Sequence, residues 1–155
     1  ATAAVLLIVS MATLFANVLT TLRLPDMLAQ YAVQLTDNRV IALLILAAIV
    51  IVTGLFIDTL PALIILAPVL SPVAATFGID PIQFAVMLIL NLAIGMVTPP
   101  VGPVLFLVSS MERVALEKII IAIWPILCAQ FFVLLMIVLF PSISTFLPHL
   151  FGFTH

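Results

Sequence analysis

Charge is what this sequence has least of. Of its 155 residues only four are Lys/Arg and six Asp/Glu, 6 % of the chain, against about 25 % in a soluble domain. Too few ionised groups are present to cover a water-facing surface, which excludes a soluble enzyme. Four basic residues also exclude a nucleic-acid binder that works through a basic patch. Cys128 is the single cysteine, so a disulfide-stapled secreted domain is excluded, and its apolar surroundings fit helix packing. Both histidines, His149 and His155, lie near the C-terminus. No Ser/His/Asp set, Gly-x-Ser-x-Gly, Cys/His cluster or phosphate-binding glycine loop is present, which argues against an enzyme. A Gly-x-x-x-Gly pair for helix dimerisation is missing as well. The first residues carry no basic region or cleavage site of a signal peptide, and apolar sequence begins at once, as expected of a chain that starts inside a larger polypeptide.

What is present is apolar: 66 % hydrophobic residues and a mean hydropathy of +1.54. The expectation is an all-α, multi-pass integral membrane protein. A crossing needs about 20 apolar residues for roughly 30 Å of hydrocarbon, and the charges divide the chain accordingly. Residues 1–22 form one transmembrane helix. Residues 23–39 form an amphipathic cytoplasmic connector, in which Met27, Leu28, Tyr31, Ala32 and Leu35 recur at helical spacing. Residues 40–58 form a second span. The segment 59–80 contains Pro61, Pro68, Pro72 and Gly78. Each interior proline costs about 3 kcal/mol in a regular helix, so the spacing predicts a re-entrant hairpin turning near Pro68–Pro72. Residues 81–111 read as a broken span, because Gly95-Met96-Val97-Thr98-Pro99-Pro100-Val101-Gly102-Pro103 cannot run as a regular helix. A cytoplasmic connector at 112–118, a last span at 119–140 anchored by Trp124, and a tail at 141–155 follow.

With a hairpin at 59–80, Arg23, Arg39, Arg113 and Lys118 fall on one face, which the positive-inside rule makes cytoplasmic, and the tail falls outside. Eight of the charges then lie in the two connectors, leaving Asp58 and Asp80 at the ends of the hairpin. Glu112, Arg113, Glu117 and Lys118 most simply form a solvated loop, with partner docking as the alternative.

The chemistry lies at the breaks. Unwound carbonyls and half-helix C-termini coordinate Na⁺, whereas half-helix N-termini favour anions. Asn91 and Thr98 offer side-chain oxygens, Gly95 permits close backbone approach, and the prolines free carbonyls one turn upstream. The competing reading is a proline kink with a packed Asn and a capping Thr. Asp58 is either a cation ligand or proton acceptor, or a cap on the following helix. Asp80, before Pro81, reads as a cap.

Gly54-Leu55-Phe56-Ile57-Asp58, the Pro68/Pro72 segment, Phe77-Gly78-Ile79-Asp80-Pro81-Ile82-Gln83-Phe84, and above all Asn91-Leu92-Ala93-Ile94-Gly95 followed by Thr98-Pro99-Pro100-Val101-Gly102 resemble the large membrane subunit of tripartite ATP-independent periplasmic (TRAP) transporters. Pro141-Ser142-Ile143-Ser144 and Leu147-Pro148 resemble that subunit's C-terminal end. The resemblance covers essentially the whole chain, as roughly the last third of such a subunit. It implies a Na⁺-driven, elevator-type importer of organic anions, such as a C4-dicarboxylate or sialic acid, in a bacterial inner membrane. Its implied partners are a periplasmic substrate-binding protein, a small membrane subunit, the N-terminal remainder of the large subunit, and lipid; Na⁺ is the coupling ion and no other cofactor is expected. The implied fold is one half of an inverted repeat. The resemblance maps the ion site onto Asp58, Thr59, Asn91, Gly95, Thr98 and Pro99. Substrate binding and gating are expected at Thr98, Pro100, Gly102, Pro68 and Pro72. The alternatives are a related anion transporter without a binding protein, and a non-transporting membrane subunit.

Overall fold

Eight apolar stretches fold as α-helices in the computed structural model, which describes residues 2–99 and 102–151. They are α1 (Thr2–Thr21), α2 (Leu24–Leu35), α3 (Arg39–Gly54), α4 (Thr59–Thr76), α5 (Pro81–Val97), α6 (Pro103–Glu112), α7 (Leu116–Leu139) and α8 (Pro141–Leu150). No strand occurs among the described residues, so the expected all-α membrane architecture is found. By length and composition α4 and α7 could each cross a bilayer, and α1 with α2 could form a third span bent by 62°.

Local chemistry sets most boundaries. Arg23, with φ +54°, separates α1 from α2, and Pro25 stands in the first turn of α2. Asn38 caps α3 by accepting from the Val40 N–H at 2.9 Å. Asp80 caps α5, accepting from Ile82 and Gln83 N–H at 2.8 and 3.3 Å, with Pro81 at the first helical position. The cap reading of Asp80 is therefore correct. Of the expected apolar stripe in α2, Ala32 packs against the core, Leu28, Tyr31 and Leu35 line an apolar groove with α3 and α4, and Met27 is exposed; Pro25 and Ala29 are buried and α2 packs on α4. Residues 141–150 form a further helix where a plain tail was expected, because Pro141 both ends α7 and starts α8.

The segment holding Pro68 and Pro72 departs from expectation. It is one helix through both prolines, and no turn forms there. Pro61 stands in the first turn, where its missing N–H has no intrahelical partner to lose. Pro68 and Pro72 sit four residues apart on the exposed face. The opposite face buries Ala62, Val69, Leu70, Val73 and Ala74 in the core. That packing offsets the two lost backbone bonds, and tertiary contact generally outweighs helix propensity. After α4 the chain turns into α5 at Gly78, whose φ of +64° suits glycine.

Four contacts fix the helix directions. At one end, Arg39 of α3 donates to Gln83 of α5, and Gln83 donates to the carbonyl of Ile137 of α7. At the other end of α5, Gly54 of α3 lies against Gly95, and Thr59 of α4 bonds to Met96. Hence α3 and α5 run parallel and α4 runs back between the same two levels, so α3 and α4 form the helical hairpin. Its tip is Leu55–Asp58, one helix earlier than expected. Because α7 packs along α5 and ends beside its start, it is antiparallel to it. Arg113 and Lys118 consequently stand at the far end of α7, roughly 30 Å along the axis from Arg39. The expectation that all four basic residues share one face is overturned by Arg39, because the reversal lies at residues 55–58.

Between the helices lies a continuous apolar core. Leu43, Leu46 and Val50 of α3 meet Val69 and Val73 of α4, Phe84, Met87, Leu88 and Leu92 of α5, and Leu127, Leu134 and Ile137 of α7.

Candidate functional site at the hairpin tip and the helix break

Four helix ends converge near Gly95. The C-termini of α3 and α5 and the N-termini of α4 and α6 meet there, joined by the tip 55–58 and by residues 98–102. Convergence depends on glycine. A Cβ on Gly95 would lie 2.8 Å from the Gly54 backbone, and one on Gly54 would lie 3.2 Å from the Leu92 carbonyl oxygen. Two helices carrying side chains at these positions could not approach so closely.

The end of α5 follows from its prolines. Pro99 and Pro100 have no N–H to offer the carbonyls of Gly95 and Met96, four residues earlier. The Gly95 carbonyl is taken instead by the Thr98 N–H at 3.2 Å. The Thr98 hydroxyl donates to the Ile94 carbonyl at 2.6 Å. Its carbonyl accepts from the Gly102 N–H at 3.1 Å. A Cβ on Gly102 would lie 3.0 Å from both the Met96 and Thr98 carbonyl oxygens, so glycine is what lets these two oxygens crowd the start of α6. That start has no side-chain cap.

On the hairpin side, Asp58 is exposed at the tip, and its Oδ1 accepts the Thr59 N–H at 2.7 Å. The cap half of the two readings of Asp58 is thus realised, and the carboxylate stays accessible. The Thr59 hydroxyl donates to the Met96 Sδ at 2.6 Å, which binds the start of α4 to the end of α5. Chemically, the arrangement offers carbonyl and hydroxyl oxygens from the ends of α3 and α5 and a carboxylate from the tip. The open N-terminus of α6 faces the same break.

The structure therefore brings together Asp58, Thr59, Gly95, Thr98 and Gly102, with Pro99 following Thr98. Pro100 lies outside the described residues. Pro68 and Pro72 are not at the tip; they stand on the exposed face of α4, and Pro68 lies about 14 Å along the axis from Thr59. Asn91 is also set apart, about 10 Å down α5 from Thr98. It is fully buried, and neither its Oδ1 nor its Nδ2 has a hydrogen-bond partner among the described residues. Gln130 of α7 has a buried Oε1 in the same condition. Counting from the Gln83–Ile137 bond, Asn91 and Gln130 lie about 12 and 10 Å from it, at matching depth on antiparallel helices. Sequence reading missed Gly54, Met96 and Gln130. Their roles come from long-range contacts, and only the Gly54-Leu55-Phe56-Ile57-Asp58 run hinted at the first.

The family model described as "Tripartite ATP-independent periplasmic transporter, DctM component" matches residues 1–143. The sialic acid TRAP transporter large permease protein SiaM of Vibrio cholerae is 39% identical over 150 residues, 97% of this chain and 35% of that protein. The isethionate TRAP transporter permease protein DctMQ of Oleidesulfovibrio alaskensis is 35% identical over 93% of this chain and 23% of its own length. The C4-dicarboxylate TRAP transporter large permease protein DctM of Pseudomonas aeruginosa is 34% identical over 94% of this chain and 34% of its own length. The chain thus spans about a third of the length of most of these relatives, which are transporter permeases and not enzymes.

Proposed function

The chain belongs to the DctM component family of tripartite ATP-independent periplasmic transporters, and from that premise we propose that it forms the ion- and substrate-handling half of a Na⁺-coupled organic-anion importer. The observation that carries this reading is the meeting of the hairpin tip with the α5–α6 break. Carbonyls at the ends of α3 and α5, with Thr59, Thr98 and the Asp58 carboxylate, supply hard oxygen ligands of the kind that coordinate Na⁺. The uncapped N-terminus of α6 suits the carboxylate of an anionic substrate. Broken backbone at membrane depth is tolerated where it is buried in protein or lines a cavity, and here the two breaks cover one another.

In this reading α3 and α4 enter the bilayer and return, while α5 and α6 together cross it. Gly95 lies about 18 Å along α5 from Gln83, whereas α7 runs about 30 Å from the level of Gln83 to its start. The tip thus stops short of the far side. Arg113 and Lys118 mark the cytoplasmic face in this reading, whereas Arg39 at the other end has its guanidinium turned onto Gln83. The C-terminal segment then lies on the periplasmic side of an inner membrane. The assembled importer takes its substrate from a periplasmic binding protein and works with a small membrane subunit and the remainder of the large subunit. The transport half slides in elevator fashion. Substrates are small organic acids, the class named for the relatives.

The test uses the complete large permease with its partner subunits in proteoliposomes, under an imposed Na⁺ gradient. Asp58→Asn and Thr98→Val should each lower Na⁺-dependent uptake at least tenfold without preventing assembly. Uptake that keeps its Na⁺ dependence in both variants would sink the reading.

A further inference from the structure

We propose that Gln83 is a positioning residue that sets the axial register of the hairpin against the broken helix, and so the fit of tip to break. This goes beyond the choice of ion or anion and does not depend on either. Three side-chain hydrogen bonds join separate helices: Arg39 to Gln83 at 2.6 Å, Gln83 to the Ile137 carbonyl at 2.9 Å, and Thr59 to Met96. Gln83 makes two of the three. It is completely buried, where an amide without hydrogen-bond partners is strongly disfavoured. Its two halves face different elements. The Oε1 accepts from the Arg39 guanidinium at the base of α3, and the Nε2 donates to α7. One side chain thus ties three helices at a single level.

The rest of the α3–α5 interface is apolar side chains and the Gly54–Gly95 backbone contact. Apolar burial is non-directional, and it resists separation of two parallel helices better than it resists their sliding. A slip of even part of a turn at the base would carry Asp58 and Thr59 past Met96 and Thr98, because α3 is a continuous helix that transmits axial displacement. Hydrogen bonds do have direction and length, so the Arg39–Gln83–Ile137 chain opposes the slip from about 18 Å away, at the opposite end of the seam from the Gly54–Gly95 contact and the Thr59–Met96 bond.

The experiment places spin labels at Phe56→Cys on the tip and Met111→Cys at the end of α6, both exposed positions. The protein is the complete permease assembly in a background free of other reactive cysteines, and double electron–electron resonance reads the distance. The parent should give one narrow distribution. Gln83→Leu should broaden or displace it by about 1.5–5 Å, between one residue's rise and one helical turn. Gln83→His, which keeps an acceptor on one ring nitrogen and an N–H on the other, should restore the narrow distribution. Should Gln83→Leu fail to fold, Arg39→Met removes only the hairpin's share of the clamp and should show the same displacement. A variant that merely loses thermal stability, with the tip distance unchanged, overturns the proposal. So does a displacement that Gln83→His fails to reverse.

Discussion

At the base of the hairpin, Arg39 meets Gln83 side chain to side chain at 2.6 Å, and Gln83 continues to Ile137. At the tip, Gly54 and Gly95 meet backbone to backbone with no side chain between them. The base joins its polar side chains to one another across three helices. The tip is built from helix ends, where the regular intrahelical bonding stops and backbone groups are paired by turns and caps or left open. A helix pair with the same apolar seam along its length is therefore locked at one end and chemically open at the other. Function concentrates where the backbone is incompletely satisfied, and rigidity where side chains close the account.

The comparison breaks most severely at Gly95. In Gly95→Ala the added methyl would stand 2.8 Å from Gly54, and overpacking of this kind costs about 1–3 kcal/mol. The expected outcome is a lowered unfolding midpoint of the purified assembly together with loss of uptake. An unchanged midpoint would mean that tip and break are not in backbone contact. Asn91 lies between the two regions, buried like Gln83 yet unpaired. Since Asn91→Leu removes two unsatisfied groups and loses no hydrogen bond, it should stabilise the protein by about 1–3 kcal/mol. Na⁺-dependent uptake should fall at the same time, and a midpoint that drops instead would show that Asn91 has a partner in the working complex. The smallest effect on stability is expected at the tip itself. Asn caps a helix about as well as Asp, so Asp58→Asn should change stability by less than about 0.5 kcal/mol. A large uptake loss with that small stability change separates the carboxylate's charge from its cap. Equal losses in both measures would assign Asp58 to capping alone.

Much of this was legible from residue types at fixed spacing. Asp80-Pro81 announces a helix start, and the structure makes it one. The three prolines and two glycines of 95–103 announce a break, and α5 ends at Val97. Each of these signals is local: a missing N–H or a capping oxygen acts within one turn, whatever the rest of the chain does. The prolines of α4 misled for the complementary reason. Their local cost is real, but Val69, Leu70, Val73 and Ala74 bury the other side of that helix in the core, and no local pattern reveals how strongly a face is packed. The reversal was sought at Pro68–Pro72 and lies at Leu55–Asp58, which moved Arg39 to the opposite end from Arg113 and Lys118.

Composition and spacing determined that this is a helical membrane chain with a broken helix after Gly95, because apolar runs and absent N–H groups are properties of the covalent sequence. Tertiary structure alone decided which two helices form the hairpin, that Gly54 is the surface Gly95 packs on, and that Asn91 stands two turns from the break it was grouped with. Those facts depend on distances between residues dozens of positions apart, and such distances are fixed only when the core closes around them.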